Sequence, residues 1–410
     1  MDPRPASHRP PGPAARLAQP DGAALDRSAR LQARIGQRID EAGGWLPFSE
    51  FMRMALYEPG LGYYDGSGAK FGARGDFVTA PEISPLFARA LAAQVAQAFE
   101  ALPHRVLEFG AGTGALAHDL LRELARHGTP AEYHILEVSA DLRARQRERL
   151  AGLPVRWLER LPQEFEGVVL ANEVLDVLPV QLFVHTGDGV LERGVQRAPE
   201  PDGAAAALQW ATRPAPPRLA REVERIAAQA GPWPAGYGSE VCPLAGAWIG
   251  ALAASLRRGL VLLFDYGFPR HEYYHAQRAM GTLMCHFRQH AHADPLWLPG
   301  LNDITAHVDF TACAEAAAAS GLEVLGYASQ AHFLLNCGVL ELAAGDGGAP
   351  DPALLGPLQR LVSEAEMGEL VKALALGRGT LPAPLRGFAR GDRRHRLVRD
   401  AACTGERGGA

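Results

Sequence analysis

The sequence predicts an α/β protein: a doubly wound, Rossmann-like sheet with a helical N-terminal extension and an inserted lobe. Three observations point to it. Between residue 105 and about residue 176, short apolar runs alternate with helical patterns of about a dozen residues, the rhythm of a parallel sheet covered on both faces. The stretch "RVLEFGAGTGALAHDLL" (105–121) passes from strand to helix through three glycines. The strongly apolar "GLVLLFDYG" (259–267) then resumes the sheet after an interruption of different character.

Taken in order, residues 1–28 are rich in Pro, Ala and Arg and read as a disordered leader. Residues 29–103 form a helical extension and a covering loop. Within it, "ARLQARIGQRIDEAGGWLPFSEFMRMALYEP" predicts two amphipathic helices split by Gly-Gly and ended by Pro59. A Gly-rich, aromatic-studded loop follows, and a helix starts at Ser84 as cap with Pro85 in its first turn. The core spans 104–179 and 259–345. Its first strands are "HRVLEFG", "EYHILEVS", "VRWLE" and "GVVLANEV", and the helices between them close at Gly128 and Gly152.

Residues 180–258 are an insertion. "VQLFVHTGDGVLERGVQ" predicts a hairpin turning at Gly-Asp-Gly, "LQWATR" another strand, and a helix over Leu244–Arg258 leads back to the sheet. Such a lobe is where substrate selection is expected. A polar loop rich in Tyr and His comes after "DYG". Asp309 then caps an Ala-rich helix, and "LEVLGYASQAHFLL" is read as two last strands. Residues 346–410 are assigned a helical segment near 357–376 and a loose, charged tail from Gly391.

The 410 residues carry a net charge of −5 with 21% charged residues, which speaks against a general nucleic-acid binder. Cys242, Cys285, Cys313, Cys337 and Cys403 lie far apart without a CxxC pair, so neither a zinc knuckle nor a disulfide framework is expected, and a reducing, cytoplasmic setting is. No apolar run approaches the ~20 residues of a membrane span.

The chemistry centres on the glycines. Gly110, Gly112 and Gly114 let the chain turn tightly between strand and helix, so that a ligand can approach bare backbone near a helix N-terminus. This pattern suits NAD and S-adenosylmethionine equally. Glu108, two residues before the first glycine, would repel a pyrophosphate and welcome an ammonium, which favours the sulfonium cofactor. Glu137, ending the second strand, can accept both ribose hydroxyls of either cofactor. Asn172 and Glu173 end the fourth strand where a reactive methyl would lie, with Asp176 three residues on. These polar groups suit a displacement that depends on positioning a nucleophile.

Together, "GARGDFVTAPEISPLFARALA", "VLEFGAGTGAL", "LANEVLDVLPVQLF", "LLFDYG" and "DITAHVDF" resemble the MidA-like family of class I S-adenosylmethionine-dependent methyltransferases, from roughly Ile35 to Gly377. The resemblance implies S-adenosylmethionine held by Glu108, Gly110, Gly112, Gly114 and Glu137, with Asn172 and Glu173 near its methyl group. It also implies that "GDFVTAPE" folds over the cofactor, with Asp76, Thr79 and Glu82 as candidates. Mitochondrial members of the family are protein arginine methyltransferases required for assembly of respiratory complex I, so the expected partner is a protein, such as a respiratory-complex subunit. An arginine guanidinium must be held bidentately by carboxylates, for which Glu82, Glu173 and Asp176 are the candidates. The Asn-Pro-Pro-aromatic run of adenine and amide methylases is absent after the fourth strand. An NAD-dependent oxidoreductase and a non-catalytic assembly factor are the alternatives.

Three other groupings carry less. His286, His290, His292 and Asp294 match no metal-ligand spacing and read as a polar loop at the substrate entrance. Asp303, His307 and Asp309 suggest a triad but lack a serine elbow. Asp265 in "FDYG" fits a site role and a turn role equally.

Overall fold

In the middle strands neighbouring residues are apolar on both faces, and the fold explains why. Val106, Val168 and Leu260 point to one hydrophobic layer, while Leu107, Val169 and Val261 point to another. All six are completely buried. A strand covered on both sides has no solvent face to alternate with. The computed structural model describes residues 20–65, 78–199, 207–344 and 351–397.

The main sheet runs in the order Glu323–Ser329, Val371–Arg378, Leu256–Phe268, Phe165–Asn172, Arg105–Phe109, Glu132–Leu136, Val155–Leu158, with Val308–Asp309 pairing beside Leu256–Phe268. From Leu256–Phe268 to Val155–Leu158 all neighbours are parallel. The helices Pro85–Ala98 and Ala115–Arg126 cover one face through Phe87, Leu91, Leu120 and Leu124. Pro243–Ser255 and Phe310–Ala319 cover the other through Ile249, Leu252, Phe310 and Cys313. The chain winds outward from Arg105–Phe109 in one direction and from Phe165–Asn172 in the other. An open α/β sheet binds its ligand at the carboxyl ends of strands where the winding reverses.

The predicted caps are present. Ser84 Oγ accepts from Leu86 N at 3.2 Å with Pro85 starting the helix, and Asp309 Oδ1 accepts from Ala312 N at 3.1 Å. Other expectations need correction. The sheet is mixed, because Val371–Arg378, assigned above to a helical segment, is an inner strand antiparallel to both neighbours. Its "ALAL" core consists of good helix formers, and burial on both faces overrode that propensity. "LEVLGYASQAHFLL" yields one strand, Glu323–Ser329, and one helix, Gln330–Asn336, because Ser329 caps the helix by accepting from His332 N at 3.4 Å.

Residues 22–28 are not leader but the start of a helix, Gly22–Glu41, capped by Asp21. The tail is held as far as Leu397, where Asp392 accepts from Tyr327 N at 3.2 Å and Arg393 pairs with Glu369 at 2.7 Å. Nor is the inserted lobe self-contained. Its antiparallel sheet, Val190–Arg197 with Gln181–His185, Leu208–Pro214 and Tyr237–Val241, takes an edge strand, Leu46–Pro47, from the extension. Leu31, Ile35 and Phe51 of the extension share a core with Leu182 and Val195 of the lobe and with Cys285 and Ile304. The expected polar loop after "DYG" is in part a three-stranded sheet, in which His292 Nε2 meets Asn302 Oδ1 at 3.1 Å. No helix among the described residues is long and apolar enough to cross a membrane.

Candidate active site

The glycine turn lies at the reversal point. Gly110, Gly112 and Gly114 have φ of +60°, +52° and +83°, the left-handed region that glycine enters without strain. Gly110 and Gly112 line a cavity of about 580 Å3, in the range of small-molecule sites. Gly114 does another job: a Cβ there would meet Leu150 at 3.3 Å, so it allows close packing at the start of the helix Ala115–Arg126 rather than facing the ligand.

Two carboxylates expected to hold the cofactor line the same cavity. Glu108 is 2% exposed and accepts a hydrogen bond from Tyr133 Oη at 2.9 Å. Its burial, opposed by that hydrogen bond and reinforced by the charge of Glu137, pushes its pKa up to about 8. A carboxylate so placed favours a cationic ligand, so the donor set fits the ammonium of a methionine moiety. Glu137 is fixed by Ser139 N at 2.9 Å and Gln146 Nε2 at 3.0 Å, and burial raises its pKa as well.

Gln146 was not singled out in the sequence, where it sits in the polar helix "ADLRARQRER". It is wholly buried and donates both to Glu137 and to Gly112 O at 2.9 Å, while Trp157 Nε1 donates to its Oε1 at 2.9 Å. One amide thus ties the glycine turn to the acid beyond it. Nothing in the sequence signals that bridge.

The end of Phe165–Asn172 is shaped by Asp265. Its Oδ2 accepts from the backbone amides of Val174, Leu175 and Asp176 at 3.1, 2.8 and 3.4 Å, and its Oδ1 from Tyr266 N at 2.9 Å. Between a site role and a turn role, the geometry decides for the turn. The segment it holds begins with Glu173 in the left-handed region, φ +53°, with its N–H donated to Phe264 O at 2.8 Å. A non-glycine residue there is strained, and such strain collects at functional sites. The Glu173 carboxylate lines the cavity and accepts from Asn172 Nδ2 at 3.1 Å and Ala80 N at 3.4 Å. Burial first, then the charge of Asp265, lifts its pKa to about 8.

Asp176 does not line the cavity. It lies behind the wall, 5% exposed, with Oδ1 unpartnered and its pKa raised by burial and by Asp265, Glu173 and Asp303. Glu82 and Thr79 line the cavity, but Glu82 is engaged by Arg149 at 3.3 Å and by the Thr113 hydroxyl, so it fastens its short helix, Ala80–Ile83, to the glycine turn. This neutralisation leaves it poorly suited to grip a guanidinium. Asp76 lies outside the described residues. Tyr57, Tyr64 and Trp248, which the sequence reading passed over, also line the cavity. His307 stacks with Tyr266, and Asp309 pairs with Arg270 at 3.0 Å, so Asp303, His307 and Asp309 do not act as a unit.

A mixed seven-strand path with a glycine turn at its reversal point and two buried acids, Glu108 and Glu137, lining the same cavity fits the class of S-adenosylmethionine-dependent methyltransferases. Comparison with known proteins agrees. The chain belongs to the family described as "Putative S-adenosyl-L-methionine-dependent methyltransferase", whose model matches residues 90–328. It is similar to a bacterial protein from Burkholderia thailandensis solved bound to S-adenosyl-homocysteine, at 48% identity and a TM-score of 0.86, covering 92% of this chain and 99% of that one. It also resembles the mitochondrial protein arginine methyltransferase NDUFAF7 of Mus musculus, 30% identical over 81% of both chains, and its Drosophila melanogaster homologue, 29% identical over 83% and 84%. The cofactor is S-adenosylmethionine, and the NAD alternative falls.

Proposed function

We propose that this methyltransferase acts on an arginine side chain of a partner protein. The observation that carries the reading is Glu173, a carboxylate presented to the cavity from a strained backbone and oriented by Asn172, which no basic residue among the described ones neutralises. Asp176 lies behind it, outside the cavity lining, as a second buried carboxyl with one oxygen unpartnered. A guanidinium satisfies such a carboxylate bidentately, two of its N–H groups meeting the two oxygens of Glu173, and leaves one nitrogen to face the methyl donor. The relatives named protein arginine methyltransferases support the same acceptor.

S-adenosylmethionine supplies an electrophilic methyl group on a sulfonium. The residues present would hold it through Glu108 at the amino end, Glu137 at the ribose and the bare backbone of Gly110 and Gly112. The rest is positioning by the chain. Asn172 and the Ala80 amide aim the Glu173 carboxylate, which orients the guanidinium by hydrogen bonding and can take the proton that the attacking nitrogen releases. A carboxylate with a pKa near 8 is a competent acceptor for that proton.

The test compares methyl marks by mass spectrometry in cells with and without this gene and then repeats the transfer with purified protein and the candidate acceptor. Loss of methylarginine at discrete sites is expected. Label delivered to lysine, an amide or a small molecule would overturn the arginine assignment.

A further inference from the structure

Tyr57 and Tyr64 are not among the cofactor residues named above, and both line the cavity together with Glu173. Their rings stack with centroids 5.5 Å apart and planes 20° apart. Each hydroxyl is committed. Tyr57 Oη donates to Val177 O at 3.0 Å, and Tyr64 Oη donates to Asp303 Oδ1 at 2.9 Å. The ring of Tyr64 is further fixed from behind by its backbone, whose N–H goes to Leu56 O at 2.8 Å. With the polar ends engaged, the aromatic pair offers the ligand ring surface. Burial first, then the nearby carboxyl of Asp303, drives both pKa values well above the usual tyrosine value, so the rings stay neutral.

We propose that the Tyr57–Tyr64 pair is the acceptor seat: an outer face of the stack carries the guanidinium plane and selects guanidinium over ammonium, while Glu173 grips the nitrogens. The inference rests on the arginine reading above and adds the element that discriminates. A guanidinium is flat, delocalised and weakly hydrated, so it stacks on an aromatic face at small desolvation cost; a lysine ammonium is compact and strongly hydrated. Val177, Leu178 and Trp248, which also line the cavity, make the surroundings apolar and sharpen that difference.

The probes are the Nα-acetyl, N-methylamide derivatives of arginine, lysine and citrulline, titrated into the full-length protein loaded with S-adenosyl-homocysteine. The wild type is expected to bind the arginine derivative about tenfold more tightly than the other two. Tyr57→Leu and Tyr64→Leu should each lower arginine affinity by roughly tenfold, whereas Tyr64→Phe, which keeps the ring, should keep the preference. In the wild-type complex the δ-methylene protons of the arginine probe should shift upfield from ring current, a readout that needs no variant to fold. Preference for arginine with no upfield shift, or with folded leucine variants that bind as wild type, overturns the aromatic seat and leaves the arginine assignment standing. No preference for arginine in the wild type overturns the assignment and the seat together.

Discussion

Replacing Glu108 with glutamine should stabilise the protein and damage its function at once. Glutamine is nearly isosteric, and its carbonyl can still accept the hydrogen bond from Tyr133. What disappears is the buried charge. The carboxyl of Glu108 binds its proton more tightly in the folded chain, pKa about 8, than in the unfolded one, about 4.3. The stability this contributes is therefore fully present below about pH 4.3 and is lost as pH rises through about 8. The full difference corresponds to an upper bound of about 5 kcal/mol, and relaxation of the site reduces it. The ligand-free Glu108→Gln protein should accordingly melt like the wild type near pH 4, pull ahead of it as pH rises above that, and melt a few degrees above it near pH 9. Binding moves the other way. An ammonium about 4 Å from a carboxylate gains about 4 kcal/mol at an effective dielectric of about 20, and desolvation of the ammonium offsets part of this. The variant should bind S-adenosyl-homocysteine roughly ten- to a hundredfold more weakly in a calorimetric titration. Equal affinity in the two proteins would refute the placement of the ammonium at Glu108. Melting curves that do not diverge with pH would refute the buried charge.

Three more outcomes follow from the site. For Glu173→Gln, kcat should fall by about two to three orders of magnitude, and the rise of kcat/KM with pH toward about 8, expected of the wild type as the carboxylate ionises, should vanish from the pH–rate profile. Asp265→Ala strips four backbone amides of their acceptor, so urea unfolding should show a loss of about 2–4 kcal/mol, with activity lost as Glu173 leaves its left-handed conformation; an unchanged midpoint would show that the turn holds itself. Gln146→Ala should weaken S-adenosyl-homocysteine binding by about tenfold, because Glu137 and the glycine turn lose their common donor, and a calorimetric affinity equal to that of the wild type would rule out that coupling.

That Glu108, Gly110, Gly112 and Glu137 come together at one cavity was legible in the chain, for a local reason. The strand, the glycine turn and the helix are consecutive, so spacing alone places Glu108, Gly110 and Gly112 relative to one another, and a carboxylate ending the next parallel strand must lie beside them. Periodicity and caps such as Ser84 and Asp309 likewise depend on near neighbours. What spans long sequence distances was not legible. The strand Val371–Arg378 enters between Glu323–Ser329 and Leu256–Phe268 because burial there outweighs the helical leaning of its residues. Glu82 matches a pocket motif yet spends its charge on Arg149, and Asp176 falls behind the wall instead of on it. Asp265, about ninety residues beyond the turn it caps, holds Glu173 in place, and Tyr64 is oriented by Asp303 from still farther away. Local pattern thus determined the class of fold and brought Glu108, Gly110, Gly112 and Glu137 to one cavity; which acid is neutralised, which is strained and how the rings of Tyr57 and Tyr64 are held were decided only when packing brought distant segments within hydrogen-bonding distance.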